Sequence, residues 1–137
     1  MIGLVVVSHG SLADGLKDAA EMIVGPQTLF RTVGMGPAAH VGQLRQDIET
    51  AVGEVGGPDY CLVLVDLLGG SPGNASAYLA VGGTPVVCGV SLPMLLEVLT
   101  AREADDMTAQ ALAERAIDAG KESIFDLGRQ LAVQSTS

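Results

Sequence analysis

The feature that most limits how this chain can fold is a set of short apolar runs that do not alternate with polar residues. Ile2-Gly3-Leu4-Val5-Val6-Val7 is one, and Tyr60-Cys61-Leu62-Val63-Leu64-Val65 is another. A strand with one wet face alternates apolar and polar side chains. A valine-rich run without alternation needs cover on both faces, as a parallel strand between helices has. The first run stops at Ser8-His9-Gly10-Ser11. That puts a histidine at the carboxyl end of its strand, the edge of an open α/β sheet where ligands bind.

Helical patterns separate the runs. Ser11-Leu12-Ala13-Asp14 has the Ser-x-x-Asp form of a helix start, and Leu12, Leu16, Ala20 and Ile23 recur at helical spacing until Gly25-Pro26. Thr28 to Val33 reads as a weaker strand and Gly34 to Pro37 as a turn. Val41, Leu44, Ile48 and Val52 mark a second helix, ending near Gly56-Gly57-Pro58. After the strand at Tyr60 to Val65, Ser71 is expected to cap a third helix, with Pro72 at its first position, where a missing N–H is harmless. Thr84 to Gly89 is a fourth strand. Helices follow from Ser91 to about Ala101 and from Thr108 to Gly120, with a charged turn at Arg102 to Asp106 between them, in which Glu103, Asp105 and Asp106 read as solvated. Ser123 to Leu127 reads as a short final strand. Residues 1–130 form a single domain and 131–137 a polar tail. Alternating strands and helices predict an α/β fold with a mainly parallel sheet and right-handed crossovers.

Composition narrows the function. With 48% hydrophobic residues the chain has the material for one packed core, but aromatics are only 3%, so the core is aliphatic and platforms for stacking nucleic-acid bases are missing. A net charge of −9 disfavours nucleic acid and anionic lipid as partners. No run reaches the roughly 18–20 apolar residues that cross a bilayer. No basic region precedes the first apolar stretch, so it does not read as a secretory signal. Cys61 and Cys88 both lie in apolar runs and read as buried thiols of a reducing, cytoplasmic compartment.

Chemistry concentrates in three strand-end loops: His9-Gly10-Ser11, Asp66 to Ser71, and Gly89 to Met94. If the strand order is 2-1-3-4, the first and third strands are neighbours about 4.8 Å apart, which brings His9 within hydrogen-bond reach of Asp66. A carboxylate that accepts one imidazole N–H fixes the tautomer and favours the positive ring. The other nitrogen is then free to take a phosphoryl group. Backbone N–H groups around Gly10, Ser11, Gly70 and Ser71, at two helix starts, are candidates to cradle the phosphoryl oxygens, as are the hydroxyls of Ser8 and Ser71. Leu68, Pro93 and Met94 are expected to wall the pocket. His40 reads as a surface residue. Glu103, Asp105 and Asp106 match no calcium loop, and no metal or cofactor is expected.

Four segments resemble the IIA domain of the mannose-family (mannose/fructose/sorbose) sugar phosphotransferase system. They are the strand ending Ser8-His9-Gly10, Val65-Asp66-Leu67-Leu68-Gly69-Gly70-Ser71-Pro72-Gly73-Asn74-Ala75, Gly89-Val90-Ser91-Leu92-Pro93-Met94-Leu95-Leu96-Glu97, and Leu99-Thr100-Ala101-Arg102. The resemblance implies a cytoplasmic phosphotransferase component that associates with the membrane at its transporter. His9 would accept phosphate from HPr and pass it to a IIB component, which serves the membrane IIC and IID proteins. Asp66 would orient His9, and Ser71 would be the nearby hydroxyl. It implies a three-layer fold of order 2-1-3-4, helices on both faces, and a homodimer that exchanges an antiparallel edge strand, here Ser123 to Leu127. Leu67-Leu68 replaces an aromatic-containing pair found in some members. With no linker or IIB domain after it, the chain is expected to be a free-standing IIA polypeptide. Two other readings compete: a phosphocarrier subunit of a dihydroxyacetone kinase system, which uses a related domain, and, of a different class and ranked below it, a small tetrapyrrole metal chelatase. A histidine phosphatase would need an arginine where Ser8 stands.

Overall fold

Leu4, Val5, Val6 and Val7 have no solvent exposure, because successive side chains of their strand are covered from opposite sides. In the computed structural model, which describes residues 1–38 and 40–136, that strand is β1 (Gly3–His9). The chain continues through α1 (Leu12–Val24), β2 (Phe30–Met35), α2 (Val41–Glu54), β3 (Cys61–Val65), α3 (Ser71–Val81), β4 (Val86–Cys88), α4 (Leu92–Ala101), α5 (Ala109–Glu122) and α6 (Leu127–Thr136). The four strands form one parallel sheet of order β2-β1-β3-β4. Leu4 and Val6 pack with Leu62 and Leu64 beneath α1, α4 and α5. Val5 and Val7 pack with Val63 and Val65 against α2 and α3. The α/β expectation and its strand order hold, and the reason is visible in the residues. Only helices on both faces can dry a strand whose every side chain is apolar.

Close approaches depend on two glycines. A Cβ on Gly3 would lie 2.1 Å from the Val55 carbonyl oxygen, and one on Gly34 would lie 2.4 Å from that of Gly10. The second lets β2 lie against the β1–α1 turn, where Gly10 itself has φ +53°.

Several local expectations change. Gly70, not Ser71, is the N-cap of α3, so Ser71 takes the first helical position and Pro72 the second, with no side-chain cap bond. Ser11 makes no side-chain cap bond at α1 either. Cys61 is buried, but Cys88 is exposed, because β4 is short and lies at the sheet edge. Arg102 opens the charged turn, but its side chain leaves the solvent. It is wholly buried, while Glu103, Asp105 and Asp106 are exposed as read. Its guanidinium donates to the carbonyl oxygens of Ile2, Thr28 and Leu29 and to the Gln27 amide oxygen. Its Nε is buried without a partner, and burial pushes its pKa down.

The final strand is not formed within this chain. Ser123–Asp126 is a turn and an irregular link, and Leu127 starts α6. Asp126 explains the switch: its carboxylate accepts the Arg129 N–H at 2.8 Å, a helix N-cap. The stretch read as a polar tail continues α6 through residue 136, with Leu131 and Val133 exposed.

Candidate active site

β1 and β3 are in register, with Val7 opposite Val65, so the residues just beyond them meet at the carboxyl edge of the sheet. The Asp66 N–H donates to the Val7 carbonyl at 3.2 Å, which fixes the start of the loop after β3. Its carboxylate turns back on His9. One oxygen, Oδ2, lies 2.7 Å from His9 Nδ1 and also accepts the His9 main-chain N–H at 2.9 Å. The other, Oδ1, accepts the Leu67 N–H at 2.9 Å. The Asp66 side chain is only 7% exposed. Burial alone would raise its pKa. The hydrogen bonds from the His9 amide, the His9 ring and the Leu67 amide outweigh burial and hold the carboxyl below its usual value. An ionised carboxylate only accepts, so the neutral ring carries its proton on Nδ1 and its lone pair on Nε2.

Nε2 lies over the start of α3. A Cβ on Gly70 would come within 2.7 Å of His9 Cε1 and 3.1 Å of Nε2, so only glycine leaves room for the ring there. Helix α3 presents the Ser71 and Gly73 amides of its first turn, while Pro72 has none. The imidazole side chain is 43% exposed and open to a second molecule. Such a ring is a nucleophile at one nitrogen, steadied by a carboxylate at the other, facing main-chain donors suited to an anion.

The other expected donors divide. The Gly10 N–H is occupied by the Met35 carbonyl at 2.8 Å, so Gly10 is not a free donor to an anion. The Ser8 hydroxyl is not one either. It is fully buried, donating to the His9 carbonyl oxygen at 3.0 Å and accepting the Ala13 N–H at 2.8 Å. Ser11 is exposed at the start of α1, with its main chain on the same sheet edge as His9. Ser71 is half-buried at the start of α3.

The expected wall changes as well. Leu68 is 83% exposed at the tip of its loop, and it is Leu67 whose Cδ1 reaches the Gly70 position beside the ring. Pro93 is exposed at the second position of α4. Met94 is buried in the core on the sheet face covered by α4 and α5, opposite the face toward which His9 points. It lines a groove beside β4, not the His9 site. His40 is exposed at the start of α2, as read. A reading from sequence missed Leu67 and the true task of Ser8. The only available signal for the second was a serine at the end of an otherwise apolar strand.

A family model described as the PTS system fructose IIA component, EIIA-man, matches residues 3–117. That span holds all four strands and the whole of this site. The chain belongs to the EIIA-man family. The family is that of IIA components of the phosphotransferase system (PTS). A sorbose-specific EIIA component of Lacticaseibacillus casei is 31% identical over 134 residues, covering 96% of this chain and 95% of that one. The mannose-specific EIIAB component of Escherichia coli K12 is 32% identical over 125 residues, 90% of this chain. The chain spans only 38% of that longer relative. Among solved structures, EIIA from Streptococcus agalactiae superposes with a TM-score of 0.84 at 29% identity, covering 94% of this chain and 99% of that one. The EIIA-man assignment agrees with the resemblance carried by the motifs around His9 and Asp66. No helix among the described residues is long and apolar enough to cross a membrane.

Proposed function

We propose that this EIIA-man protein is a cytoplasmic phosphoryl carrier whose His9 takes phosphate from HPr and hands it to a IIB component, which in turn serves the IIC and IID proteins of a sugar transporter. One observation carries the reading: Asp66 Oδ2 grips both the main-chain N–H and Nδ1 of His9 while Nε2 overlies the amino end of α3. In the transfer, the Nε2 lone pair forms a bond to phosphorus as the N–P bond of the donor's phosphohistidine breaks. The bonding pair returns to the donor ring. The His9 ring gains positive charge beside the ionised Asp66 and keeps its Nδ1 proton. The phosphoryl oxygens meet the amides of Ser71 and Gly73, and of Ser11 across the site. A helix amino terminus stabilises an anion by about 0.3–1 kcal/mol, more where partly buried. Passage to IIB reverses these steps onto a new acceptor. Catalysis is mostly alignment and charge stabilisation, because the bond exchange needs little else from the protein.

The sugar-specific names of the relatives favour this role over a dihydroxyacetone kinase carrier. The carrier is also proposed to form a homodimer. Support comes from the groove at the open edge of β4, lined by Val87, Met94, Ile117 and Ile124, and from the exposed Phe125 beside it in sequence. A second copy's Ser123–Leu127 segment, extended on exchange, would cover that edge.

The function is tested by incubating the protein with labelled phosphoenolpyruvate, Enzyme I and HPr. Label is expected on the wild type and absent from His9→Ala; label persisting on the variant would refute the role.

A further inference from the structure

Ser8 is an anomaly in its strand. It follows Val5, Val6 and Val7, is fully buried, and carries a hydroxyl that must find partners or destabilise the fold. One partner is the carbonyl of His9 and the other lies in the first turn of α1. The hydroxyl donates to the His9 carbonyl oxygen at 3.0 Å and accepts the Ala13 N–H at 2.8 Å. Ala13 is the second residue of α1, so Ser8 does from the strand what Ser11, the formal N-cap, does not do with its side chain. Successive strand residues point to opposite faces, so Ser8 faces α1 while His9 faces α3. Ser8 therefore touches neither the imidazole nor anything bound to it.

We propose that Ser8 is a positioning residue for His9. With Asp66 it immobilises every polar group of His9 except Nε2: Asp66 holds the N–H and Nδ1, and Ser8 holds the carbonyl. The bond to Ala13 adds a second function. It ties the first turn of α1 to the same peptide, so the amide end of that helix and the imidazole keep one relative geometry. Losing the hydroxyl leaves a buried N–H without its partner and frees the turn, with the tautomer-setting carboxylate untouched. This rests on the phosphoryl-carrier reading, because what it positions is Nε2 for attack on phosphorus.

The test uses phosphoramidate, which removes protein docking from the measurement. Nε2 bonds to phosphorus as the P–N bond breaks, and ammonia departs with the bonding pair; the Nδ1 proton stays on the ring. Phosphorus NMR follows formation of phosphohistidine, and nitrogen NMR reports the ring tautomer. Ser8→Ala is expected to slow phosphorylation about 10- to 100-fold, the scale of a sub-ångström misplacement. It should still show the Nδ1–H tautomer. Ser8→Thr should recover the rate to within about 3-fold, a loss of under 1 kcal/mol. Thr84→Val is the control. Thr84 is buried at the opposite edge of the sheet, with its hydroxyl on the Pro58 carbonyl at 2.7 Å, and its loss should lower the melting temperature with the rate unchanged. Should Ser8→Ala fail to fold, Ser8→Cys, close in volume but a weak hydrogen-bonder, carries the same comparison. A wild-type rate in the variant, loss of the tautomer with it, or an equal slowing in Thr84→Val overturns the proposal. Wild-type protein that takes no phosphate on His9 overturns the carrier reading and the proposal together.

Discussion

Asp66 Oδ2 receives two hydrogen bonds from a single residue, one from the His9 main chain and one from its ring. Rotating the Asp66 carboxylate away breaks both at once. Asp66→Asn keeps the volume but removes the charge, and its amide can present a donor where Nδ1–H needs an acceptor. The variant is expected to stay folded and to transfer phosphate about 10²- to 10⁴-fold more slowly, as when a histidine loses the carboxylate that sets its tautomer. A pH effect follows from the lowered Asp66 pKa. A carboxyl that is more acidic folded than unfolded stabilises the fold above its unfolded pKa, and that contribution disappears as pH falls through the folded value. The wild type should therefore lose stability below the ordinary carboxylate range through this group, and Asp66→Asn should lack that part of the acid limb. Melting curves from neutral pH to below pH ~3.8 would show it. Gly70 is the second test at this scale. Its φ of −86° and ψ of 172° suit any residue, so the demand for glycine is purely steric. Gly70→Ala is expected to displace the His9 ring, lower stability by about 1–3 kcal/mol, and slow transfer. An unchanged ring position by NMR would contradict this.

Element boundaries followed from side-chain chemistry where the deciding partner was local. Gly25-Pro26 ends α1, and the apolar runs became β1 and β3 almost to the residue. The failures occurred where a distant partner decided. The start of α1 is held by a hydroxyl from the preceding strand, and the Arg102 side chain turns inward from the charged turn to carbonyls at residues 2, 28 and 29. Ser123 to Leu127 failed for another reason. Within one chain the segment does not pair with the open edge of β4, and Asp126 caps a helix instead. If a second copy supplies the pairing, the protein should sediment as a dimer, and Phe125→Asp should shift it toward monomer without preventing His9 phosphorylation. A wild-type monomer at micromolar concentration would refute the exchange.

Arg102 acts at the scale of the whole molecule. One buried guanidinium joins the end of α4 to the chain before β1 and to the loop between α1 and β2. It has no carboxylate among these partners. Its attraction is to carbonyl dipoles, and it shares the Leu29 oxygen with the Leu4 N–H. Arg102→Met fills similar space and is expected to destabilise the fold by about 2–4 kcal/mol, read from urea unfolding. Transfer by the protein that remains folded should be near normal, because the clamp lies at the sheet edge opposite His9. Loss of transfer without loss of stability would contradict a purely structural role.

The parallel sheet, its helical cover and the edge bearing His9 were determined by residue pattern alone. Burial on two faces is a property of each strand's own side chains, and a strand's carboxyl end is wherever its apolar run stops. The pairing of His9 with Asp66 could be inferred once strand order was assumed. What only the tertiary structure decided were the contacts made across elements at ångström scale: Leu67 rather than Leu68 beside the ring, Met94 in the core, the Gly10 amide occupied by β2, and Ser8 turned inward. These depend on how strands, turns and helices sit against each other after packing. A difference of one residue in a loop, or one face of a strand, separates a donor that can reach an anion from one already satisfied within the protein.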